Sequence, residues 1–201
     1  LLRWRQGDAV IPPGRFIQVV EGTDLAEPVS RWVLESACRQ GRQWLDRQRP
    51  LRIAVNIFSE HVTSGHLVED VAAVLARTDL PAQLLELEVV ESSLLSNPEA
   101  AARTLRELKR MGVGLALDDF GTGYSSLACL KDLPATKIKL DRAFVVDMPQ
   151  DLRSFGVARA VSQLAGDLGI NVVAEGVETA EQLQLLREAG VNSVQGFHIA
   201  R

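Results

Sequence analysis

Six short apolar runs, each followed by an amphipathic stretch, limit most strongly what this chain can fold into. The runs lie at residues 52–57 (RIAVNI), 84–90 (LLELEVV), 113–118 (VGLALD), 136–141 (TKIKLD), 171–175 (NVVAE) and 193–197 (SVQGF). Helical patterns fall at about 27–48, 64–77, 98–111, 125–130, 152–168 and 179–189. Asn97-Pro98 reads as a helix start, and Gly112, Gly169 and Gly190 read as helix stops. Strict β-α alternation calls for a parallel sheet with helices packed on it. The expectation is an α/β fold of the (β/α)8, TIM-barrel-like kind, with its first strands missing from this chain; a doubly wound open sheet is the alternative. The chain opens on LLRW, which reads as the end of a strand, and it closes abruptly on QGFHIAR. One domain over 1–201, truncated at the N-terminus and slightly at the C-terminus, is therefore expected; 201 residues are enough for one sizeable core.

Period two assigns the faces of each strand. Val55 and Ile57 oppose Asn56; Leu85, Leu87 and Val89 oppose Glu86 and Glu88; Leu115 and Leu117 oppose Gly114, Ala116 and Asp118; Ile138 and Leu140 oppose Lys137 and Lys139. One face of each strand suits packing against helices, and the other, small or polar, would line a barrel interior. Asn56, Glu88, Asp118, Lys139, Glu175 and Gln195 are the polar residues nearest the C-terminal ends of the six strands. Active sites of such barrels sit at that end.

Glu88, Asp118, Asp119 and Glu175 would then converge with Lys139 as the nearby counter-charge. Four carboxylates and one ammonium cannot all stay ionised in a partly desolvated site. Either some are protonated or divalent cations sit among them. All-oxygen donors with an Asn amide suit Mg²⁺ or Mn²⁺ rather than zinc. Adjacent acids at one strand end can face two ions, as two-metal phosphoryl-transfer sites require. Lys139 could orient or deprotonate an attacking water, a buried lysine near cations being prone to lose its proton. Taken singly, each residue has a plainer reading: paired acids cap helices, and a lysine completes a salt bridge. Glu86 and Lys137, one layer lower, are expected to pair inside the barrel. His61, His66 and His198 show no ligand spacing and receive no role. The weight lies on the shared strand-end position.

Composition removes other classes. The net charge of −4 offers no footprint for a nucleic-acid polymer or a membrane surface. No apolar run approaches 18 residues, so direct membrane insertion is not expected. Cys38 and Cys129 lie far apart without a CxxC, which suits neither zinc nor a disulfide framework and points to a reducing, cytoplasmic setting.

In these motifs the chain resembles the EAL-domain family of bacterial cyclic di-GMP phosphodiesterases. LLRW resembles the tail of the signature E-A-L-L-R-W. VN at 55–56, LELEVVES at 85–92, DDFGTGYSSL at 118–127, KLD at 139–141, VVAEGVET at 172–179 and QGF at 195–197 follow in the family's order. Each alone is weak; the set, with DDFGTGYSSL intact, is specific.

The resemblance implies hydrolysis of cyclic di-GMP to linear 5′-pGpG with two Mg²⁺ or Mn²⁺ ions. It implies that Asn56, Glu88, Asp118 and Glu175 hold the first ion and Asp119 the second. Lys139 resembles the lysine that positions the attacking water and is proposed as its base. Arg3 matches the arginine that contacts a substrate phosphate, and Gln195 the glutamine that helps hold the site. Glu91 resembles the glutamate that anchors the DDFGTG loop, and Glu178 belongs to the EGVE motif. A homodimer is implied, as is fusion to GGDEF or sensory domains, some of them membrane-anchored. The alternative within the family is a catalytically inactive cyclic di-GMP receptor; a bare dimerisation module is a third reading, which the acid cluster argues against.

Five departures stand out. The signature Glu would precede Leu1. Phe58 stands where the family's N-x-S has Ser, Val90 where Thr is common between two glutamates, and Thr136 and Asn192 where Asp is common.

Overall fold

The computed structural model describes residues 2–94, 97–121 and 133–200. A hairpin of β1 (Trp4–Gln6) and β2 (Ala9–Ile11) comes first, then α1 (Ile17–Val20) and the long α2 (Ala26–Asp46). The sheet follows: β3 (Ile53–Ile57), β4 (Leu85–Val90), β5 (Gly114–Phe120), β6 (Lys137–Leu140), β7 (Asn171–Ala174) and β8 (Ser193–Val194). Between the strands run α3 (Ser59–Thr63), α4 (Leu67–Thr78), α5 (Pro98–Arg110), α6 (Arg142–Val146), α7 (Leu152–Asp167) and α8 (Ala180–Glu188).

The strand order is β3-β4-β5-β6-β7-β8, and every pairing is parallel. A doubly wound sheet reverses its order at a switch point. Here chain order and spatial order coincide throughout, as in the arc of a TIM-like barrel. The fold is α/β and TIM-barrel-like.

Local chemistry explains the helix ends. Asn97 accepts a hydrogen bond from the Ala100 amide at 3.2 Å, Pro98 occupies the first turn, and Ala101, Leu105 and Leu108 form the buried stripe of α5. Thr179 and Gln182 form a reciprocal capping box at the start of α8. The core lies between sheet and helices. Val55, Ile57, Leu85, Leu87, Val89, Leu115, Leu117, Ile138, Leu140, Val172 and Ala174 are buried as the period-two reading requires.

Three features depart from that reading. Trp4–Gln6 pairs antiparallel with Ala9–Ile11 in a two-stranded sheet separate from the parallel one, a hairpin that the strand pattern does not predict. Two five-residue helices, α3 and α6, follow β3 and β6; they are too short to leave a periodic signature. The third lies in β5. Ala116 pairs with Lys137 and Leu117 with Ile138, but the next pair is Phe120 with Leu140. Two residues, Asp118 and Asp119, therefore stand against Lys139 alone, as in a β-bulge. Asp119 takes a left-handed φ of 53°, a conformation that Asp tolerates better than most side chains. The helix expected at 125–130 lies outside the described residues, as do 122–127 of the DDFGTGYSSL motif and Cys129.

Candidate functional site

The bulge resolves why two acids sit side by side. In an unbroken strand they would point to opposite faces. With one extra residue in β5, Asp118 stays on the interior face, and the Asp119 backbone amide donates to Asp118 Oδ1 at 3.1 Å. Both carboxylates are held at the C-terminal end of the same strand. Across the sheet, Asn56 is in register with Glu88.

Lys139 is the hub. Its Nζ lies 3.0 Å from Glu88 Oε2, 2.9 Å from Asp118 Oδ1 and 2.7 Å from Glu175 Oε1. Gln195 Nε2 donates to the same Glu175 oxygen at 2.7 Å. Four strand ends thus meet on one ammonium. Burial alone would lower the Lys139 pKa; hydrogen bonds to Glu175 and Asp118 and the charges of Glu88 and Asp118 override it and push it well up. The three carboxylates thus oppose the loss of the lysine proton that the sequence suggests. Burial raises Glu175 despite Lys139 beside it. Burial also raises Asp119, with the charges of Asp118 and Asp141 adding to it. Glu88, Asp118 and Glu175 stand against a single cation, and Asp119 is adjacent. The donors are all oxygen, and their negative charge exceeds what Lys139 neutralises. This set fits Mg²⁺ or Mn²⁺.

Neighbouring groups fix these side chains. Glu91, buried on the turn after β4, accepts the Gly121 amide at 2.9 Å, which ties the residue after β5 to that turn. Behind Gln195, a Cβ on Gly196 would come within 2.3 Å of the Val177 backbone. Glycine is needed there for that close approach, which lets Val177 N donate to Gln195 O at 3.1 Å. Arg142 pairs with Glu178 at 2.7 Å. Arg3 is exposed, and its Nη1 donates to the Leu2 carbonyl at 2.9 Å. Asn56 is exposed.

The departures find physical readings. Thr136 Oγ1 accepts from Leu115 N at 3.3 Å, and Asn192 Oδ1 accepts from Val172 N at 2.7 Å; each bridges to a strand start as an Asp oxygen would. Phe58 is partly buried just before α3, and the next residue supplies a hydroxyl contact: Ser59 Oγ lies 2.6 Å from Ser93 Oγ on the turn that carries Glu91.

One layer below, Lys137 Nζ lies 2.5 Å from Glu86 Oε1, and Arg52 Nη1 lies 3.5 Å from Glu86 Oε2. Gly114 opposite Glu86 leaves it room. This is the pairing the alternation predicts.

The sequence reading missed a second polar cluster, on the helices. His61 is fully buried, with Nδ1 3.0 Å from Ser30 Oγ and Nε2 2.9 Å from Asp70 Oδ2. The line Ser30–His61–Asp70 resembles a nucleophilic triad, but Ser30 and His61 are 1% and 0% exposed, so no substrate reaches the hydroxyl. Residues 30, 61 and 70 sit on three helices, and no sequence spacing announces their meeting.

Comparison with known proteins agrees with this geometry. The model of the EAL domain family matches residues 1–201. The bifunctional diguanylate cyclase/cyclic di-GMP phosphodiesterase MucR of Pseudomonas aeruginosa is 41% identical over 203 residues, covering 100% of this chain and 30% of MucR. The cyclic di-GMP phosphodiesterase NbdA of the same organism is 41% identical over 203 residues, covering 100% of this chain and 26% of NbdA. The chain thus spans less than a third of either relative. A solved structure of the P. aeruginosa MucR phosphodiesterase in complex with c-di-GMP superposes with a TM-score of 0.94 at 41% identity, covering 100% of this chain and 82% of that one.

Proposed function

The chain belongs to the EAL domain family, and from that premise we propose that it is a metal-dependent phosphodiesterase that hydrolyses cyclic di-GMP to linear 5′-pGpG. The observation that carries this reading is the convergence of Glu88, Asp118 and Glu175 on Lys139 at the C-terminal ends of four strands, with Asp119 beside them on the bulge. Asn56, Glu88, Asp118 and Glu175 would hold one Mg²⁺ or Mn²⁺ and Asp119 a second. Bound there, the ions supply the positive charge that neutralises the phosphodiester and lowers the cost of forming a hydroxide nucleophile.

The chain's own residues do the rest. With Glu88, Asp118 and Glu175 engaged by the ions, Lys139 would lose the contacts that hold its proton; it would then orient the attacking water and take its proton. Gln195 fixes the Glu175 carboxylate. Glu91 holds the segment after β5 through Gly121, so that Asp118 and Asp119 keep their aim. Arg3 contacts a substrate phosphate. A negatively charged protein binds an anionic nucleotide in this way through cations rather than through a basic patch. The domain works as a homodimer, fused to GGDEF or sensory domains in a longer protein, in the cytoplasm. Among the described residues, no helix is long and apolar enough to cross a membrane.

The test is product analysis. The full-length protein is incubated with cyclic di-GMP in Mg²⁺ or Mn²⁺, with Ca²⁺ and chelator controls, and the nucleotides are separated. Metal-dependent pGpG is expected. Tight binding without cleavage would replace the enzyme with a receptor.

A further inference from the structure

Outside the barrel, the helix cluster has the makings of a cation site. Glu27 at the start of α2, His61 on α3 and Asp70 on α4 each offer a ligand atom, and the three atoms lie within 4.8 Å of one another. Donors that share one ion at about 2.0–2.2 Å stand about 3–4 Å apart, so a small closure of this arrangement suffices. His61 Nδ1 is engaged by Ser30 Oγ at 3.0 Å, the outer contact that orients a ligating imidazole and leaves Nε2 facing the carboxylates.

Charge argues the same way. Arg31 bridges Glu27 Oε1 at 2.8 Å and Asp70 Oδ2 at 2.9 Å. One guanidinium therefore serves two carboxylates, with the exposed His66 Nδ1 also 3.2 Å from Glu27 Oε1, where a divalent ion would neutralise both. The Arg31 side chain is half exposed and can leave toward solvent. The cluster meets an acidic cleft at Glu27: a cavity of ≈ 450 Å³ lined by Gly22, Thr23, Asp24, Glu27, Pro28 and Glu60, which contribute three acids and no base. Glu60 Oε2 in its wall is buried and has no hydrogen-bond partner among the described residues.

We propose that Glu27, His61 and Asp70 form a second metal site, separate from the barrel, that takes a divalent transition ion of the Zn²⁺ class when Arg31 swings out. One nitrogen and two carboxylate donors suit zinc, whereas the all-oxygen barrel site suits Mg²⁺ or Mn²⁺. Such an ion would staple α2, α3 and α4 together behind β3 and stabilise the folded state by mass action. The inference is independent of cyclic di-GMP hydrolysis.

The experiment is a Zn²⁺ titration of the wild type, His61→Gln, Asp70→Asn and Arg31→Met. Bound zinc is counted after equilibrium dialysis, and the unfolding midpoint is followed. Barrel-bound zinc is common to all four proteins and cancels. The wild type should bind one more ion per chain than His61→Gln or Asp70→Asn. Arg31→Met should bind that ion at least about tenfold tighter, and zinc should raise its midpoint most. Should His61→Gln not fold, Asp70→Asn and Arg31→Met carry the comparison. Equal counts in all the proteins, or no gain in affinity for Arg31→Met, would overturn the proposal and leave Arg31 as the cluster's cation.

Discussion

Two layers of the same barrel interior, two residues apart on the same strands, treat charge in opposite ways. In the lower layer a single carboxylate, Glu86, has two cations, Lys137 and Arg52. In the upper layer a single cation, Lys139, has three carboxylates, with Asp119 beside them. Strand geometry and side-chain types are shared; the stoichiometry differs. In the lower layer the buried carboxylate is fully countered, and the excess positive charge sits on the more exposed Lys137 and Arg52 side chains. The upper layer is partly desolvated and carries excess negative charge; burial first, and the neighbouring carboxylates after it, raise both Glu175 and Asp119. A fold keeps such an arrangement at a cost in stability, which divalent ions bound there would offset.

The contrast can be broken from either side. The largest effect is expected from Glu88→Ala or Asp118→Ala, each reducing the steady-state rate of pGpG formation at least about a hundredfold by removing a proposed ligand of the ions. Near-normal turnover in Glu88→Ala would sink the metal assignment. Lys139→Ala should also abolish turnover while the protein still binds Mn²⁺ in a calorimetric titration, because it leaves the oxygen donors in place. In the lower layer, Lys137→Met should act on stability instead. A buried carboxylate that loses its closest partner costs about 3 kcal/mol, visible as a lower urea midpoint, with turnover within a few-fold of wild type. The smallest effect is expected at the edge of the site. Phe58→Ser should leave the rate equal or slightly higher, because the Ser59–Ser93 contact already supplies a hydroxyl; a clear loss would show that the site has adapted to the phenylalanine.

Much of this contrast was legible in the sequence because period two is a strong geometric rule. It placed Glu86 and Lys137 in one layer and Glu88 and Lys139 in the next, and both pairs meet in space. The same rule fails at Asp119, because a bulge adds a residue without leaving a mark in the pattern. The ends of β8 and the extent of β5 were misjudged for a related reason. Ser193–Val194 stops where Gly196 approaches Val177, and β5 runs on to Phe120 past the bulge. The opening hairpin is not legible, because LLRW alone does not reveal an antiparallel partner for Trp4–Gln6 at Ala9–Ile11. Least legible of all was the His61 cluster, since Glu27, His61 and Asp70 come together only when three helices pack.

The most direct test sets the two layers against each other in one assay. Cyclic di-GMP cleavage in Mn²⁺ is measured side by side for the full-length wild type, Glu86→Gln and Glu88→Gln. Both changes remove one buried negative charge from β4, two residues apart. The account predicts pGpG from the wild type and from Glu86→Gln, and none from Glu88→Gln. Equal activity in the two variants, or no cleavage by the wild type, would contradict it.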